Sequence, residues 1–402
     1  MNRFAKILPL LSVIAVLFTG CWWKHGGEDK EPYTILVYMA ADNSLDGQVD
    51  YSLNQLKQGI RNSNGTVVIY LDREDDAPRL FKLSPEGQEI GLKDYLEENS
   101  ADASTLARVI NETRELVPSE KFGLVIWSHS MGWVPDGYGQ QARITSFRAN
   151  RNYPRTRYVS TDTNTGGSGS GALEIKDMAA KLLPGTASFI LFDVCLMANV
   201  EALYEIRHAC DYVIASPTEV LAEAQYNASG MPYAKVLPLL FGDVSDLAEA
   251  CETCYNYYKN LYVGGVDIDE PEMLRSTTIS LIDMKELDGL YSTVKGILNG
   301  KLSQAEVLNV GGFQTYHTIS AAPVFFDMGD VVGALSNTAQ SLDFQSQLNR
   351  AVLYKAATEK FIYITIDPEH FSGLSMYVPL TKWKLNKEYT YYFGLDWAGV
   401  YE

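Results

Sequence analysis

The sequence predicts an α/β protein built on a mostly parallel sheet, and two features lead to that class. Across the first half, short apolar runs alternate with stretches of helical spacing. Those runs are apolar at nearly every position rather than at every second one, as strands buried on both faces require. The chain has 402 residues, 46% hydrophobic and 21% charged. That composition is globular, and the length is enough for one large core or two ordinary ones.

The elements follow in order. YTILVYMAA (33–41) is the first strand, and Asp42-Asn43-Ser44 offers turn and cap chemistry before a helix ending near residues 58–60. TVVIYL (66–71) is the second strand; a helix over 103–116 opens at Ser104 and stops before Pro118. FGLVIW (122–127) is the third strand, SFILF (188–192) the fourth and residues 212–215 the fifth, with helices over 172–183 and 197–208. Buried strands separated by helices give a parallel sheet covered on both faces, with chemistry placed beyond the carboxyl ends of the strands. This part, 33–231, is the expected core. From 232 to 402 the pattern is less regular, with helices near 245–262, 284–299 and 341–356 and strands near 277–283, 361–366 and 373–378. This half either extends the same sheet or forms a subdomain.

Residues 1–21 read as a targeting segment, with Arg3 and Lys6 ahead of the apolar run ILPLLSVIAVLF. The run ends in Leu17-Phe18-Thr19-Gly20-Cys21, a lipoprotein box of the bacterial type that would make Cys21 a lipidated N-terminus. A plain secretory signal or an uncleaved anchor are the alternatives. Residues 22–32 (WWKHGGEDKEP) read as a tether. The expectation is an exported, cell-envelope protein held to a membrane by lipid, facing the periplasm or the outside. The formal charge of −17 argues against nucleic acid as a partner, since no basic field is available to displace phosphate counterions. It suits basic or neutral substrates, and equally the solubility of an exported protein.

The stretch 134–171 has no apolar period and carries Arg143, Arg148, Arg151, Arg155 and Arg157. A loop of this length inside a compact domain is usually functional or disordered, and its arginines are what a trypsin-like protease cuts. Cys210, Cys251 and Cys254 do not make a disulfide framework. Cys251 and Cys254 lie at helical spacing with no histidine pair for a zinc site, so they read as packing residues. No metal and no cofactor is expected.

LVIWSHSMGW (124–133) poses a choice of nucleophile. Ser130 sits where a G-x-S-x-G elbow would put an attacking serine, but the elbow needs a helix directly after it. Here Met131-Gly132-Trp133-Val134-Pro135-Asp136-Gly137 follows, with two glycines and a proline that will not hold one. His129 instead ends a buried strand. Later, SFILFDVCLMANVEALYEI ends a second buried strand at Asp193-Val194-Cys195, with an expected helix directly after it that would favour the thiolate. A histidine and a cysteine at the carboxyl ends of two strands of one sheet can act as a dyad.

YTILVYMAADNSLD, LVIWSHSMGW, FDVCLMANVEALYEI, YVIASPTEV and GLSMYVP together resemble the clostripain-like cysteine peptidases, of the caspase, gingipain and legumain group of folds. The resemblance runs in order from about Tyr33 to the C-terminal side. It implies a caspase-like α/β sandwich, His129 and Cys195 as the catalytic pair, and protein or peptide substrates cut after Arg or Lys by a monomeric enzyme. It also implies an oxyanion hole of the backbone N–H groups of Ser130 and Cys195, and Asp193 and Glu219 as pocket acids for the basic side chain. Autoprocessing is implied in the arginine loop, after Arg143 or Arg148. Two departures stand out: Ser130 replaces the family's glycine after the histidine, and Pro217-Thr218-Glu219 replaces its acidic pair. Glycine there would accept a positive φ that serine resists. The competing reading is a catalytically impaired lipoprotein that keeps the fold and binds peptides or a partner protein.

Overall fold

The computed structural model describes residues 30–135, 154–156, 173–319 and 322–402. The targeting segment, Cys21, most of the tether, and Arg143, Arg148, Arg151 and Arg157 lie outside the described residues. Seven strands of the first half are β1 (Glu31–Ala41), β2 (Thr66–Arg73), β3 (Arg79–Leu83), β4 (Glu89–Asp94), β5 (Ser119–Trp127), β6 (Ala187–Asp193) and β7 (Cys210–Ala215). With Thr278–Asp283 and Val352–Ala357 they form one nine-stranded sheet. Its order runs Val352–Ala357, Thr278–Asp283, β7, β6, β5, β1, β2, β3, β4. The central strands β7, β6, β5, β1 and β2 are parallel. The outer strands on both sides are antiparallel.

The parallel strands are the apolar runs of the sequence, and from Ile35 to Ala41 every residue of β1 is buried. Tyr38 and Tyr70 stack across β1 and β2 with ring centroids 4.7 Å apart. The helices α1 (Asp46–Gly59), α2 (Ala103–Leu116), α3 (Ile175–Lys181) and α4 (Val200–Glu205) flank this sheet. The cap of α2 is Asp102, which accepts from the Ser104 amide, two residues earlier than the serine itself suggested.

The structure departs from these expectations in five places. The hairpin β3–β4 has no buried run to announce it, because β4 is almost wholly exposed; its charged residues suit an edge strand that must not recruit another chain. The helix expected over 197–208 is only Val200–Glu205. Residues 196–198 instead give their amides to the neighbouring loop, Leu196 to Thr218 O at 2.9 Å and Ala198 to Ser216 O at 3.0 Å. The helix expected to reach 356 ends at Ala351, and Val352–Ala357 is an edge strand of half-exposed, alternating residues. The strand expected over 361–366 is a two-residue hairpin, turned at Ile362 with φ +50°, and that over 373–378 shrinks to Ser375–Met376.

Two contacts tie the second half to the strand-end loops. Trp133 is fully buried, with Tyr377 5.1 Å, Tyr392 5.9 Å and Phe325 6.5 Å away between ring centroids. Truncating a ring buried in this way costs about 3–5 kcal/mol. Glu201 of α4 has no exposed surface, and its Oε1 accepts the Tyr377 amide at 2.7 Å. Its Oε2 has no hydrogen-bond partner among the described residues. Burial pushes its carboxyl up to about 8, against partial compensation from backbone amides.

The folded chain therefore holds the Glu201 proton over a range in which the unfolded chain has lost it. The stabilising effect of that proton is full below the ordinary glutamate range and is lost as pH rises toward about 8. Glu201→Gln keeps the Oε1 acceptor without a titrating group. Its melting temperature is expected to match the parent near pH 5 and exceed it at pH 8 to 9; equal melting curves at both pH values would contradict the neutral buried state.

Candidate active site

β5 and β6 pair in parallel with Trp127 opposite Asp193. His129 and Cys195 each follow their strand by two further residues, so both leave the sheet at the same level from neighbouring strands, spaced roughly 5 Å apart. His129 is half-buried, and its Nε2 lies 3.1 Å from Ser44 Oγ, in the turn after β1. Ser128 Oγ donates to Ala40 O at 2.9 Å, which fastens the start of this loop to the same strand.

Ser130 is not among the non-glycine residues with positive φ, which are Leu196, Asn227 and Ile362. Its Oγ accepts the Gly132 amide at 3.0 Å, and the left-handed turn falls on Gly132, at φ +63°. The strain expected from serine in place of glycine thus does not arise at residue 130. At Gly132 a Cβ would come within 2.7 Å of Leu196 O and crowd the Asn199 side chain, so the histidine loop seats directly on the cysteine loop. Among the described residues directly after Ser130, 131–135, none is helical, in keeping with rejection of the serine elbow.

Cys195 has no exposed surface, and the Val220 amide donates to its Sγ at 3.1 Å. The thiol is not at the head of a helix: α4 begins five residues later, capped by Asn199, and Leu196 adopts φ +60° between them. The Val220 N–H, not a helix terminus, is the donor seen at the sulfur. Cys210, Cys251 and Cys254 are buried thiols whose pKa is pushed well above the usual range by burial, with Asp193 adding to it at Cys254. They are packing residues.

Asp193 and Glu219, far apart in sequence, line one pocket with Ser216, Met231, Cys254 and Thr277. Asp193 accepts Tyr233 OH at 2.7 Å and the Met231 amide at 3.2 Å. Glu219 Oε1 lies 3.3 Å from His317 Nδ1, and its Oε2 accepts the Thr156 hydroxyl. Arg155, the described arginine of the long loop, pairs with Glu223, its amide donating to Oε1 at 2.6 Å. Its carbonyl accepts the Ala222 amide at 2.8 Å, and Thr156 bridges antiparallel to Leu221. Residues 154–156 thus lie along the rim of the pocket, held by an isolated β-bridge at Thr156.

Ser44, Thr156, Val220 and His317 have no mark in the sequence as site residues. Ser44 lies in the YMAADNSLD stretch, where it reads as turn chemistry; a single histidine such as His317 carries no pattern to detect. Asp42, Asp72 and Glu97, after β1, within β2 and after β4, each place a carboxylate oxygen within 4.8 Å of the others, a spacing that oxygen-ligated cations use.

A parallel sheet with a histidine and a cysteine on adjacent strand ends belongs to the caspase-like class of cysteine peptidase folds. The chain belongs to the clostripain family, whose model matches residues 37–367. Among solved structures it is similar to an inactive zymogen C11 protease from Parabacteroides distasonis, at 30% identity and TM-score 0.75, covering 93% of this chain and 99% of that one. It shares its fold with a secreted C11 cysteine protease from Bacteroides thetaiotaomicron in complex with an irreversible peptide inhibitor, at 24% identity and TM-score 0.72, covering 92% and 98%. No curated protein sequence matches the chain.

No disulfide joins the four described cysteines, and all four are buried. Titration of the uncut chain from residue 22 onward with an aromatic disulfide reagent should therefore read almost no thiol while folded and four after denaturation. A full thiol equivalent in the folded state would show that Cys195 is already open.

Proposed function

We propose that the chain is an exported cysteine endopeptidase that cleaves after Arg or Lys, with His129 and Cys195 as its catalytic pair. The observation that carries this reading is the β5–β6 register, Trp127 opposite Asp193, from which both residues follow by the same two steps. His129 takes the Cys195 thiol proton, the sulfur attacks the scissile carbonyl carbon, and the tetrahedral oxyanion takes hydrogen bonds from the Ser130 and Cys195 backbone N–H groups. The C–N bond breaks, the thioacyl enzyme remains, and His129 gives its proton to the departing amine. His129 then takes a proton from water as the hydroxide displaces sulfur, releasing the acid. Ser44, at His129 Nε2, positions the ring. Asp193 and Glu219 form the acidic wall of the P1 pocket, where a carboxylate and an arginine side chain can pair in two parallel bonds.

The intact chain is latent in this reading, supported by a nucleophile with no exposed surface and by residues 154–156, bridged at Thr156 to Leu221 along the pocket rim. Cutting after Arg143 or Arg148 releases it. The body works as a monomer on protein or peptide substrates and is tethered to the cell envelope through lipid on Cys21, on the periplasmic or outer face. No helix among the described residues is long and apolar enough to cross a membrane.

Fluorogenic peptides with P1 Arg, Lys or Ala, given to the purified body and to its Cys195→Ala variant, test the chemistry. Turnover after Arg and Lys is expected to appear as the chain becomes two fragments, and both events should vanish in the variant. A folded, pre-cut chain that turns over nothing would leave a peptide-binding lipoprotein in place of the enzyme. For the anchor, Cys21→Ser in the full precursor should move the protein from the membrane fraction to the soluble one; unchanged partitioning would point to an uncleaved anchor.

A further inference from the structure

His317 lies on Thr315–Ile319, in the small sheet of the second half of the chain, far in sequence from both pocket acids. It is 5% exposed and its Nδ1 is 3.3 Å from Glu219 Oε1, while Glu219 itself is 4% exposed on its side chain. The two acids are thus held by different chemistry. Asp193 is held by a phenol and a backbone amide, Glu219 by an imidazole and by the Thr156 hydroxyl. A carboxylate this buried needs compensating donors to keep its charge and its place.

We propose that His317 is a specificity-determining positioning residue, which holds the Glu219 carboxylate in the wall of the P1 pocket with Oε2 directed at an incoming cationic side chain. The proposal rests on the reading of this pocket as the P1 pocket. Thr156, a hydroxyl donor on Oε2, stands where the guanidinium or ammonium donor of the substrate arrives, and Nδ1 keeps Oε1 occupied so that the carboxylate cannot turn away. Glu219 is also directly before Val220, whose amide meets Cys195 Sγ, so the same contact sets the distance between pocket and nucleophile. Loss of the imidazole donor removes one held orientation of the acid. A neutral P1 side chain makes no ion pair with Glu219, so the effect falls on basic substrates above neutral ones.

The test is the ratio of kcat/KM for P1 Arg to P1 Ala peptides, read on the full mature chain carrying His317→Leu or His317→Asn. The ratio cancels general damage to the dyad or to folding, which scales both substrates together. His317→Leu is expected to lower it by about tenfold, the size of one hydrogen bond to a charged group. The asparagine amide nitrogen falls close to the position of Nδ1, so His317→Asn should keep most of the parental ratio. If the leucine variant does not fold, His317→Gln, whose amide reaches past the Nδ1 position, is read in its place with the same expected loss. A parental ratio in the leucine or glutamine variant, or an asparagine variant as impaired as leucine, overturns the proposal. A parent that shows no preference for Arg over Ala overturns the pocket reading itself, and the His317 proposal with it.

Discussion

Parallel pairing of β5 with β6 decides where the two strand-end loops leave the sheet, because Trp127 and Asp193 are opposite one another and both strands end there. A slip of one residue would turn each side chain to the other face of the sheet and part His129 from Cys195. The register is fixed by burial: from Leu124 to Trp127 and from Phe189 to Asp193 every residue is buried, so no shifted pairing keeps the core intact. The site therefore inherits its precision from the least exposed part of the molecule. Asp193 extends this logic, since a strand-end residue on the cysteine strand becomes a pocket wall without any added element.

The loops themselves are finished by close packing rather than by further pairing. Gly132 is the point where the histidine loop turns left-handed and meets Leu196 and Asn199 with no room for a side chain. Asn199 in turn caps α4 through the Ala202 amide, so one asparagine serves the helix and the loop contact together. Trp133 then anchors the far end of the histidine loop among Phe325, Tyr377 and Tyr392. In this sense the second half of the chain is part of the site, through aromatic packing, through the bond of Ser375 to Ala198 O, and through His317.

What was legible in the sequence was what burial writes into it. The five parallel strands are continuous apolar runs, and each is found where its run lies. The placement of His129 and Cys195 beyond neighbouring strand ends is legible for the same reason, because each follows such a run. The hairpin β3–β4 was not, since an exposed edge strand has no reason to be apolar. Nor was the start of α4 read correctly: LMANVEALYEI has helical spacing, yet Leu196 and Ala198 spend their amides on the 216–218 loop, a partner that spacing cannot reveal. The concern over Ser130 came from its position after the histidine, whereas the turn that demands glycine lies two residues on, at Gly132. His317 was illegible because its partner comes from another part of the chain, and one buried histidine has no pattern.

The cage around Trp133 has a consequence in time. A chain folding from its N-terminal side has all five parallel strands to hand once β7 is made, yet Phe325, Tyr377 and Tyr392 are still to come. Contacts of such long sequence separation form late, because their loop-closure entropy must be met first. Until then the far end of the histidine loop lacks its aromatic cage at Trp133, and the two outer strands Thr278–Asp283 and Val352–Ala357 are also still to be added to the sheet. Such an order of assembly makes the second half of the chain the last part to close around the strand-end loops.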